Sequence, residues 1–478
     1  MTLNLNERIY YYFNEITKIP HGSRNERQIS DWLVQFARDH QLRWIQDAMG
    51  NVVIYKNGSA HKQNAGAIIL QAHMDMVCEK EPDVDFNFET DPLNTYVEDG
   101  WLKARGTTLG ADDGVGVAMM LAVLEDESLQ HPPLECVFTV MEEIGLNGAQ
   151  ALKKEYFTAK RMINMDCGGE DKTVVTTAGG LVCTLSASPA MSANADPGYR
   201  LIVSGLKGGH SGGSIDKELG NANKIAARGL RQLIKQGVPI RLYDWDGGNK
   251  DNAIPRDCWI SFTSPAPQDT LNEAVTQLLN TVRQELRDSD PRVQIRLESA
   301  SSPAEAYSCQ DSEAMIGLLT LLPSGVRAKS MAIPGLTWAS ENLASIKKDG
   351  TMLRISLSLR SGQQSWIDRM ADELSLYAEL FGWECRFDNG YPAWDYKEHS
   401  ELRDTLAALV EKRTGQPLKI DAAHGGTECG VFSQLIEDLD IVTLVPQASG
   451  AHTPKEMLNL ASFKRVYQLL CELLAQLN

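Results

Sequence analysis

The sequence predicts an α/β protein with two domains, in which an inserted α+β domain interrupts a single α/β domain. The chain has 478 residues, which exceeds the size at which one hydrophobic core usually stops growing. Strand-length apolar runs alternate with helical segments in both terminal parts, whereas the middle has short strands between longer amphipathic helices. We therefore assign residues 1–184 and 393–478 to the α/β domain and residues 185–392 to the insert.

Apolar spacing predicts each element of the first part. Ile9, Phe13 and Ile16 recur at helical spacing and predict a helix near residues 4–18, and a second helix is predicted near residues 25–39. Then follow the strands NVVIYK and AIILQA, the helix VGVAMMLAVLED, the strand ECVFTV, the helix AQALKKEYF and the strand MINMD. Strands that alternate with helices imply a largely parallel sheet covered on both faces.

The insert is predicted to contain ferredoxin-like units. Its first half has the order β-α-β-β-α-β of such a unit, over RLIVSG, ELGNANKIAARGLRQLIKQG, IRLYDW, CWISFTS, TLNEAVTQLLNTVRQELRD and VQIRLES. Its second half looks like a partial copy with the order α-β-β-α-β, over EAMIGLLTLL, WASENLASI, TMLRISLSLR, WIDRMADELSLYAELFG and ECRFD. After about Pro392, helices and strands alternate again as far as a closing helix from Leu460. The two ends of the chain therefore belong to the same domain.

Composition restricts the class of partner and the location. Hydrophobic residues make up 43% and charged residues 23%, as in ordinary globular proteins. An excess of acidic residues, 63 against 46 basic ones, gives a net charge of -17, which repels nucleic acid and anionic membranes. Glu7 and Arg8 stand where a secretory signal needs an apolar run, and the run VGVAMMLAVL is too short to span a bilayer. We expect a cytoplasmic protein whose nine cysteines are reduced thiols without CxxC spacing.

His73 and Asp75 form the first candidate site motif, in QAHMDMVCE. They follow the apolar run AIILQA at the end of a predicted strand, and their spacing of two places both side chains on one face. An imidazole can bind a metal through one nitrogen while a nearby carboxylate holds the other ring N–H. The alternative is an ordinary pair of a histidine and an acid at the surface.

Two pairs of adjacent acids form the next motifs. Asp112 and Asp113 lie in the glycine-rich turn of LGADDGVGVAMML, where one acid can cap the following helix and Asp112 can bridge two cations. Glu142 and Glu143 follow the strand in FTVMEEIGLNG, so one can ligate a metal while the other meets a water molecule. A solvated acidic loop is the alternative for the second pair.

Asp166 and His452 complete the set. Asp166 ends the run MINMD, and His452 follows the strand DIVTLVP. Most of these motifs stand where a strand runs into a loop, which in α/β sheets is the edge that binds ligands. Carboxylates crowded at one edge repel one another unless cations are present. Two imidazoles among carboxylates suit zinc or manganese better than magnesium or calcium.

The motifs HMD, GADDG, MEEIG, NMD and AHTPKE resemble, in this order, the ligand motifs of the di-zinc M20 metallopeptidases. Within that family the chain is most similar to the bacterial aminoacyl-histidine dipeptidases, as IPHGSRNE and HGGTECG also indicate. The resemblance covers essentially the whole chain. It implies a zinc-peptidase-like α/β catalytic domain with an inserted lid domain.

The resemblance implies a role for each residue of the set. The implied ligands are His73, Asp112 and Asp166 for one zinc ion, and Asp112, Glu143 and His452 for the other. Asp112 would then bridge the two ions. Glu142 would be the general base that takes a proton from the attacking water, and Asp75 would orient His73.

Further residues of the insert and of a late loop resemble the family's substrate contacts. His210 in LKGGHSGGS would stabilise the developing oxyanion, in its own chain or across a dimer, and Arg360 in LSLRSGQ would receive the substrate carboxylate. Gly425 and Gly426 in HGGTECG would shape the pocket. The alternatives are that His210 caps a helix and that Arg360 is a solvated charge. Glu428 stands where many relatives have Asp, and we assign it no ligand role.

These inferences predict a metallodipeptidase with two Zn²⁺ per chain, for which Mn²⁺ or Co²⁺ are possible substitutes. The expected substrates are unblocked dipeptides, including Xaa-His dipeptides such as β-alanyl-histidine, and the expected assembly is a homodimer. A di-metal N-acyl amino acid deacylase or carboxypeptidase on the same scaffold is the alternative. A metal-binding protein without activity is disfavoured because it would have no chemical reason to keep Glu142 beside a complete ligand set.

Overall fold

The structure, a computed structural model, describes residues 3–331 and 333–478. It divides into two compact units. The first contains the chain up to Thr177 together with Trp394–Ala422 and Thr427–Asn478, and the second contains Ala178–Ala393 and Ala423–Gly426. Within the described residues, no helix combines the length and the apolar character needed to span a bilayer.

The first unit contains the N-terminal elements. These are α1 (Arg8–Ile16), α2 (Arg27–Asp39), β1 (Arg43–Gln46), β2 (Val52–Lys56), β3 (Ile68–His73), β4 (Thr95–Glu98), β5 (Trp101–Ala104), α3 (Ala111–Glu125), β6 (Leu134–Thr139), α4 (Asn147–Ala151), β7 (Arg161–Asn164) and β8 (Lys172–Thr177). The predicted helix over AQALKKEYF is wrong in extent. It ends with α4 because Leu152 has extended backbone, and a separate 3-10 turn follows at Lys154–Tyr156.

The second unit contains the middle elements. These are β9 (Gly179–Ala187), β10 (Met191–Ala193), β11 (Gly198–Ser204), β12 (Gly209–His210), α5 (Ala222–Lys235), β13 (Arg241–Gly247), β14 (Ala253–Ile254), β15 (Cys258–Thr263), α6 (Gln268–Glu285), β16 (Gln294–Ala300), β17 (Glu305–Tyr307), α7 (Cys309–Leu321), β18 (Gly325–Lys329), β19 (Thr337–Asp349), β20 (Met352–Ser361), α8 (Gln364–Phe381) and β21 (Glu384–Tyr391). The domain boundary predicted at residues 184 and 185 falls inside β9, all of which belongs to this unit.

The last elements return to the first unit, apart from the end of β22. They are α9 (Glu401–Thr414), β22 (Lys419–Ala423), α10 (Glu428–Leu435), β23 (Asp440–Thr443), β24 (Ala448–Ser449), β25 (Met457–Asn459) and α11 (Leu460–Gln476). The strands β4, β5, β24 and β25 form a small sheet, and β8 pairs with β22. The sequence analysis missed β4, β5 and β25, because strands of three or four residues carry little periodic signal.

A six-stranded sheet with the order β1-β2-β6-β3-β7-β23 is the centre of the first unit. The strands β6, β3, β7 and β23 run parallel to one another, whereas β1 and β2 pair as antiparallel strands and β2 is antiparallel to β6. The sheet is therefore mixed, and β2, which the sequence analysis included in a largely parallel sheet, is antiparallel to both of its neighbours. The antiparallel edge arises from a tight turn after β1, where the Asp47 carboxylate accepts hydrogen bonds from the N–H groups of Met49, Gly50 and Asn51.

The helix α3 packs in the core of the first unit. Nearly all of its residues after Asp112 are buried, as expected for a helix that is apolar on every side. The chain termini meet in the same core, where the ring of Phe463 from α11 lies 5.8 Å from that of Tyr10 and 6.2 Å from that of Phe13. The N-terminal and C-terminal segments thus complete one hydrophobic core.

Two ferredoxin-like units share one sheet in the second unit of the structure. In the first, the chain-order strands β11, β13, β15 and β16 have the spatial order β16-β11-β15-β13. In the second, β9, β19, β20 and β21 have the equivalent order β21-β9-β20-β19. The second copy, which the sequence analysis described as partial, is therefore complete. Its first strand is β9, which precedes the whole first copy in the sequence. Pairing of β13 with β19 joins the two copies.

We expect Phe463→Ala to destabilise the first unit by about 3–5 kcal/mol, the usual range for deleting a buried phenylalanine ring. Phe463 of α11 is fully buried against α1. Differential scanning calorimetry should show a lower unfolding temperature for this variant. Met49→Ala is the control, because Met49 is 42% exposed and its loss should change stability by no more than about 0.5 kcal/mol. Equal effects of the two substitutions would contradict this description of the core.

Candidate metal centre

The candidate metal centre lies at the carboxyl edge of the parallel strands in the first unit. His73 is the last residue of β3, Glu142 comes shortly after the end of β6, and Asp166 comes shortly after the end of β7. Parallel strands end at a common edge, so their pairing brings these residues together although they are distant in sequence. His452 reaches the same group from the loop after β24.

Asp112 stands between the two imidazoles. Its Oδ1 lies 3.2 Å from Nε2 of His73, and its Oδ2 lies 3.2 Å from Nε2 of His452. Each imidazole also faces a second carboxylate: Nε2 of His73 lies 3.7 Å from Oδ1 of Asp166, and Nε2 of His452 lies 3.0 Å from Oε1 of Glu143. The arrangement therefore has two halves, and Asp112 belongs to both because one of its carboxylate oxygens faces each half.

Three overlapping groups of donor atoms converge within 4.8 Å. They are Asp112, Glu143 and His452; His73, Asp113 and Asp166; and His73, Glu142 and Glu143. The first is one of the two ligand sets that the resemblance implies. The second contains Asp113 where that resemblance implies Asp112, although Asp112 itself lies next to His73.

Burial and mutual repulsion act on the acids of this centre. Burial raises the pKa of Glu142 well above its usual value, and the charges of Asp166, Glu428 and Glu143 add to this effect. The pKa values of Glu143 and Asp166 are also raised, mainly by burial. Negative charge in this space is therefore costly without a cation.

The carboxylates of this centre also change the pKa values of the two histidines. Burial by itself lowers the pKa of His73, but the carboxylates of Asp112, Asp166 and Asp75 raise it well above its usual value. The nearby carboxylates of Asp112 and Glu143 raise the pKa of His452 to about 10. Without another cation, each imidazole would thus be protonated and would lie between carboxylates. A metal ion bound between the same groups would take over the role of that proton.

The donor set fits two divalent cations. Oε1 of Glu143 is buried and receives no hydrogen bond from the described residues, although Nε2 of His452 is only 3.0 Å away. Two donor atoms that converge without a hydrogen bond are expected where both face a common ion. Imidazole nitrogens together with carboxylate oxygens are ligands that zinc and manganese accept.

Asp75 connects His73 to the paired glutamates. Nδ1 of His73 lies 3.4 Å from Oδ1 of Asp75 and 3.0 Å from its carbonyl oxygen. The same carboxylate accepts hydrogen bonds from the N–H groups of Glu142 (3.0 Å) and Glu143 (3.3 Å), and from the hydroxyl of Ser23 (2.8 Å). Asp75 therefore positions the turn after β6 as well as the imidazole. The sequence analysis did not identify Ser23, although it lies within the IPHGSRNE motif.

Asp113 has a different hydrogen-bond partner from its neighbour Asp112. Its Oδ1 accepts a hydrogen bond from the N–H of Gly116 at 3.2 Å, as a residue that caps a helix does. Burial raises the pKa of Asp113 well above its usual value. The peptide bond between Asp112 and Asp113 is cis. The adjacent acids thus differ in their surroundings, since Asp113 accepts the hydrogen bond from the helix backbone and Asp112 lies between the two imidazoles.

Glu428 lies beneath the centre in a layer of buried polar side chains. Its Oε2 accepts hydrogen bonds from Gln71 Nε2 and from the Thr139 hydroxyl, and Gln71 in turn accepts one from Asn164 Nδ2. Glu428 is completely buried, and its Oε1 has no hydrogen-bond partner among the described residues. Burial raises the pKa of Glu428 to about 8. This residue contacts the strands that carry the centre, a position that the sequence analysis did not predict.

The second unit brings the predicted substrate residues into a cluster of their own. Arg360 is 7% exposed, and it donates hydrogen bonds to the hydroxyls of Ser211 (3.3 Å) and Tyr391 (2.6 Å). Among the described residues, it has no carboxylate within ion-pair distance. A buried guanidinium without a counter-ion is suited to bind an anionic group. Its burial argues against the alternative of a solvated charge.

His210 is the last residue of β12, and the two glycines lie in the loop after β22; all three belong to the second unit. Nδ1 of His210 accepts hydrogen bonds from the N–H groups of Gly212 and Gly213, which leaves Nε2 as the proton-bearing nitrogen of the neutral ring. A Cβ at Gly426 would lie 2.3 Å from the Tyr391 ring, whereas one at Gly425 would have open space. The sequence analysis missed His424 beside them, whose Nε2 lies 2.7 Å from the Ser340 hydroxyl.

We expect Glu428→Gln to reduce the pH dependence of stability in the metal-free protein. The pKa of Glu428 is raised from its ordinary 4.5 to about 8, so the folded protein keeps a proton that the unfolded chain releases. The stabilisation is therefore complete below about pH 4.5 and is lost as the pH rises through about 8. Wild type should lose up to about 1.4 kcal/mol per pH unit more than the variant between about pH 5 and 8. Chemical unfolding at several pH values measures this difference, and equal slopes would contradict it.

Comparisons with known proteins identify the family of the chain. Residues 69–476 match the peptidase family M20/M25/M40. The chain is 32% identical over 469 residues to the cytosol non-specific dipeptidase of Escherichia coli K12, which covers 97% of this chain and 96% of that protein. An aminoacylhistidine dipeptidase structure from Vibrio alginolyticus has a TM-score of 0.91 and 30% identity, covering 100% of this chain and 98% of that one. Acetylornithine deacetylase of Myxococcus xanthus is 26% identical over 280 residues, 55% of this chain and 66% of that protein.

These findings confirm the resemblance inferred from the ordered motifs and the predicted fold class, an α/β catalytic domain with an inserted α+β lid domain. The family match covers every residue of the candidate metal centre. Because the family consists of metallopeptidases, it implies a divalent metal at this centre. The chain therefore belongs to peptidase family M20/M25/M40 and is a peptide hydrolase.

Proposed function

We propose that this protein is a dipeptidase that uses two zinc ions to hydrolyse unblocked dipeptides, including Xaa-His dipeptides such as β-alanyl-histidine. The observation that carries the proposal is the position of Asp112 between His73 and His452, each with a further carboxylate beside it. The printed names of the Escherichia coli and Vibrio alginolyticus relatives support dipeptides as the substrate class. The former name also supports a cytosolic location.

The ligands in this proposal are those that the resemblance implies. They are His73, Asp112 and Asp166 for one ion, and Asp112, Glu143 and His452 for the other. Two divalent ions at these positions would polarise the scissile carbonyl and lower the pKa of the attacking water. Mn²⁺ or Co²⁺ could replace zinc with the same ligands.

Glu142 is the proposed general base. It adjoins the ligand Glu143, and Asp75 holds the backbone of both residues, so its carboxylate is kept close to the centre. Its raised pKa favours acceptance of a proton from water and release of that proton to the leaving amine. A carboxylate with an ordinary pKa would be a weaker base for the same transfer.

Residues of the second unit are proposed to contact the substrate. Arg360 would bind the terminal carboxylate of the dipeptide, and Nε2–H of His210 would donate a hydrogen bond to the developing oxyanion. Gly425 and Gly426 would leave room for the substrate beside them. His210 could serve its own chain or the partner in a homodimer, and light scattering of the purified protein would test that dimer.

Hydrolysis assays test the substrate class. The purified protein is assayed with β-alanyl-histidine, other dipeptides and N-acetyl amino acids, before chelation, after chelation, and after zinc or manganese is restored. We expect dipeptide hydrolysis that is lost with chelation and recovered with metal. Cleavage of the N-acetyl amino acids without cleavage of dipeptides would instead support the deacylase alternative. The similarity to acetylornithine deacetylase is the observation that favours this alternative.

We expect Glu142→Ala to lower kcat by about two to four orders of magnitude while both metal ions remain bound, because general-base catalysis usually contributes that factor. The neighbouring Glu143→Ala is the matched control, and it should lose metal together with activity. Metal analysis by mass spectrometry and steady-state kinetics measure the two effects. Loss of metal from Glu142→Ala would place Glu142 among the ligands and remove the proposed role.

A further inference from the structure

Glu456 is a buried acid four residues after His452, in the AHTPKE segment. Only 3% of it is exposed, and it has no cationic side chain within ion-pair distance among the described residues. The sequence analysis used this segment for His452 alone. A buried carboxylate without a cation must have hydrogen-bond donors to compensate for the loss of water.

Four consecutive backbone N–H groups provide that compensation. Oε2 of Glu456 accepts hydrogen bonds from Leu109 (2.7 Å) and Gly110 (3.0 Å). Oε1 accepts hydrogen bonds from Ala111 (2.8 Å) and Asp112 (3.3 Å). Hydrogen bonds to an ionised acceptor are about twice as strong as neutral ones. Glu456 is therefore the main polar partner of the loop that ends at Asp112.

This loop depends on an external acceptor because of its conformation. Gly110 has a φ of 69°, and Asp112 and Asp113 have non-helical backbone although they stand at the start of α3. The first N–H groups of a helix lack acceptors within the helix. The carboxylate accepts two of these N–H groups, from Ala111 and Asp112, and two more from the residues just before the helix. It thereby fixes the direction in which the Asp112 side chain leaves the backbone.

The same residue also ties the His452 loop to Asp112. The N–H of Glu456 donates to the carbonyl of Thr453, which adjoins His452, so the segment between them is a compact turn. Nε2 of His452 meets Oδ2 of Asp112 at 3.2 Å. The loop that ends at Asp112 and the His452 loop are more than 300 residues apart in sequence, and two contacts connect them. One contact joins the side chains of Asp112 and His452, and the other joins Glu456 to the loop backbone.

We propose that Glu456 is a positioning residue that holds the bridging Asp112 and His452 at the separation that two metal ions require. Its carboxylate accepts hydrogen bonds from the backbone of the loop and none from the side chain of Asp112, so it acts through that backbone. The inference rests on the proposed function, since it concerns the same metal centre. Residues that orient metal ligands typically change metal affinity by about 10–100-fold when they are replaced.

Glu135 provides a matched control in the same unit. It is 4% exposed and on β6, and its carboxylate accepts hydrogen bonds from the N–H and hydroxyl of Thr158 and from the N–H of Ala159. None of these partners is a proposed ligand. Glu135→Gln and Glu456→Gln therefore make the same chemical change to a buried acid that accepts backbone hydrogen bonds.

The test is calorimetric titration of zinc alone into the metal-free full-length protein, with thermal unfolding of the same samples. We expect Glu456→Gln to weaken the binding of at least one of the two ions by about 10–100-fold, because an amide NH₂ cannot accept the hydrogen bonds that one oxygen receives. Glu135→Gln should lower the unfolding temperature without changing zinc affinity. At saturating zinc, KM of Glu456→Gln for a dipeptide should equal that of wild type.

A structural role alone predicts a different result. Zinc affinities of Glu456→Gln equal to those of wild type, with only the unfolding temperature lowered, would overturn the proposal. If Glu456→Gln does not fold, Glu456→Asp replaces it, because the shorter acid keeps the charge but loses reach, and unchanged zinc affinity there would overturn the proposal equally. Failure of wild type to bind two zinc ions would instead refute the proposed function.

Discussion

Crowding of acids at one edge of a sheet is the constraint on which the first unit depends. Asp112, Glu142, Glu143 and Asp166 converge where parallel strands end, and burial raises the pKa values of three of them. Without cations, negative charge at this edge is costly. The imidazoles of His73 and His452 supply two positions at which positive charge is favoured. The same repulsion would favour the binding of divalent cations at this edge.

Further acids support the centre through hydrogen bonds to backbone and side-chain groups. Asp75 accepts the N–H groups of Glu142 and Glu143, Glu456 accepts four N–H groups ending at Asp112, and Glu428 joins side chains of two central strands. Each connects elements that are distant in sequence. The centre is therefore fixed by a second set of carboxylates, whose donors are mostly groups of rigid backbone. Such support would allow the proposed ligand atoms to converge before an ion binds.

The parts that were predictable from the sequence share a local signal. His73 and Asp166 follow apolar runs that end in a loop, and the order of the motifs identified the family. Strand β9 was not assigned to its ferredoxin-like copy, because the whole first copy separates it from β19 and β20 in the chain. Glu456 and Glu428 were missed for a related reason, since their hydrogen-bond partners lie about 290 to 360 residues away. Periodicity describes the neighbours of a residue along the chain, whereas these contacts arise only after folding.

The most direct test of this account is a crystal structure of the zinc-loaded protein, with the ions located by anomalous scattering at the zinc edge. The account predicts two peaks about 3.5–4 Å apart, with one oxygen of Asp112 directed to each ion. His73 and Asp166 should complete one site, and Glu143 and His452 the other. A single peak, or two peaks that Asp112 does not bridge, would contradict it.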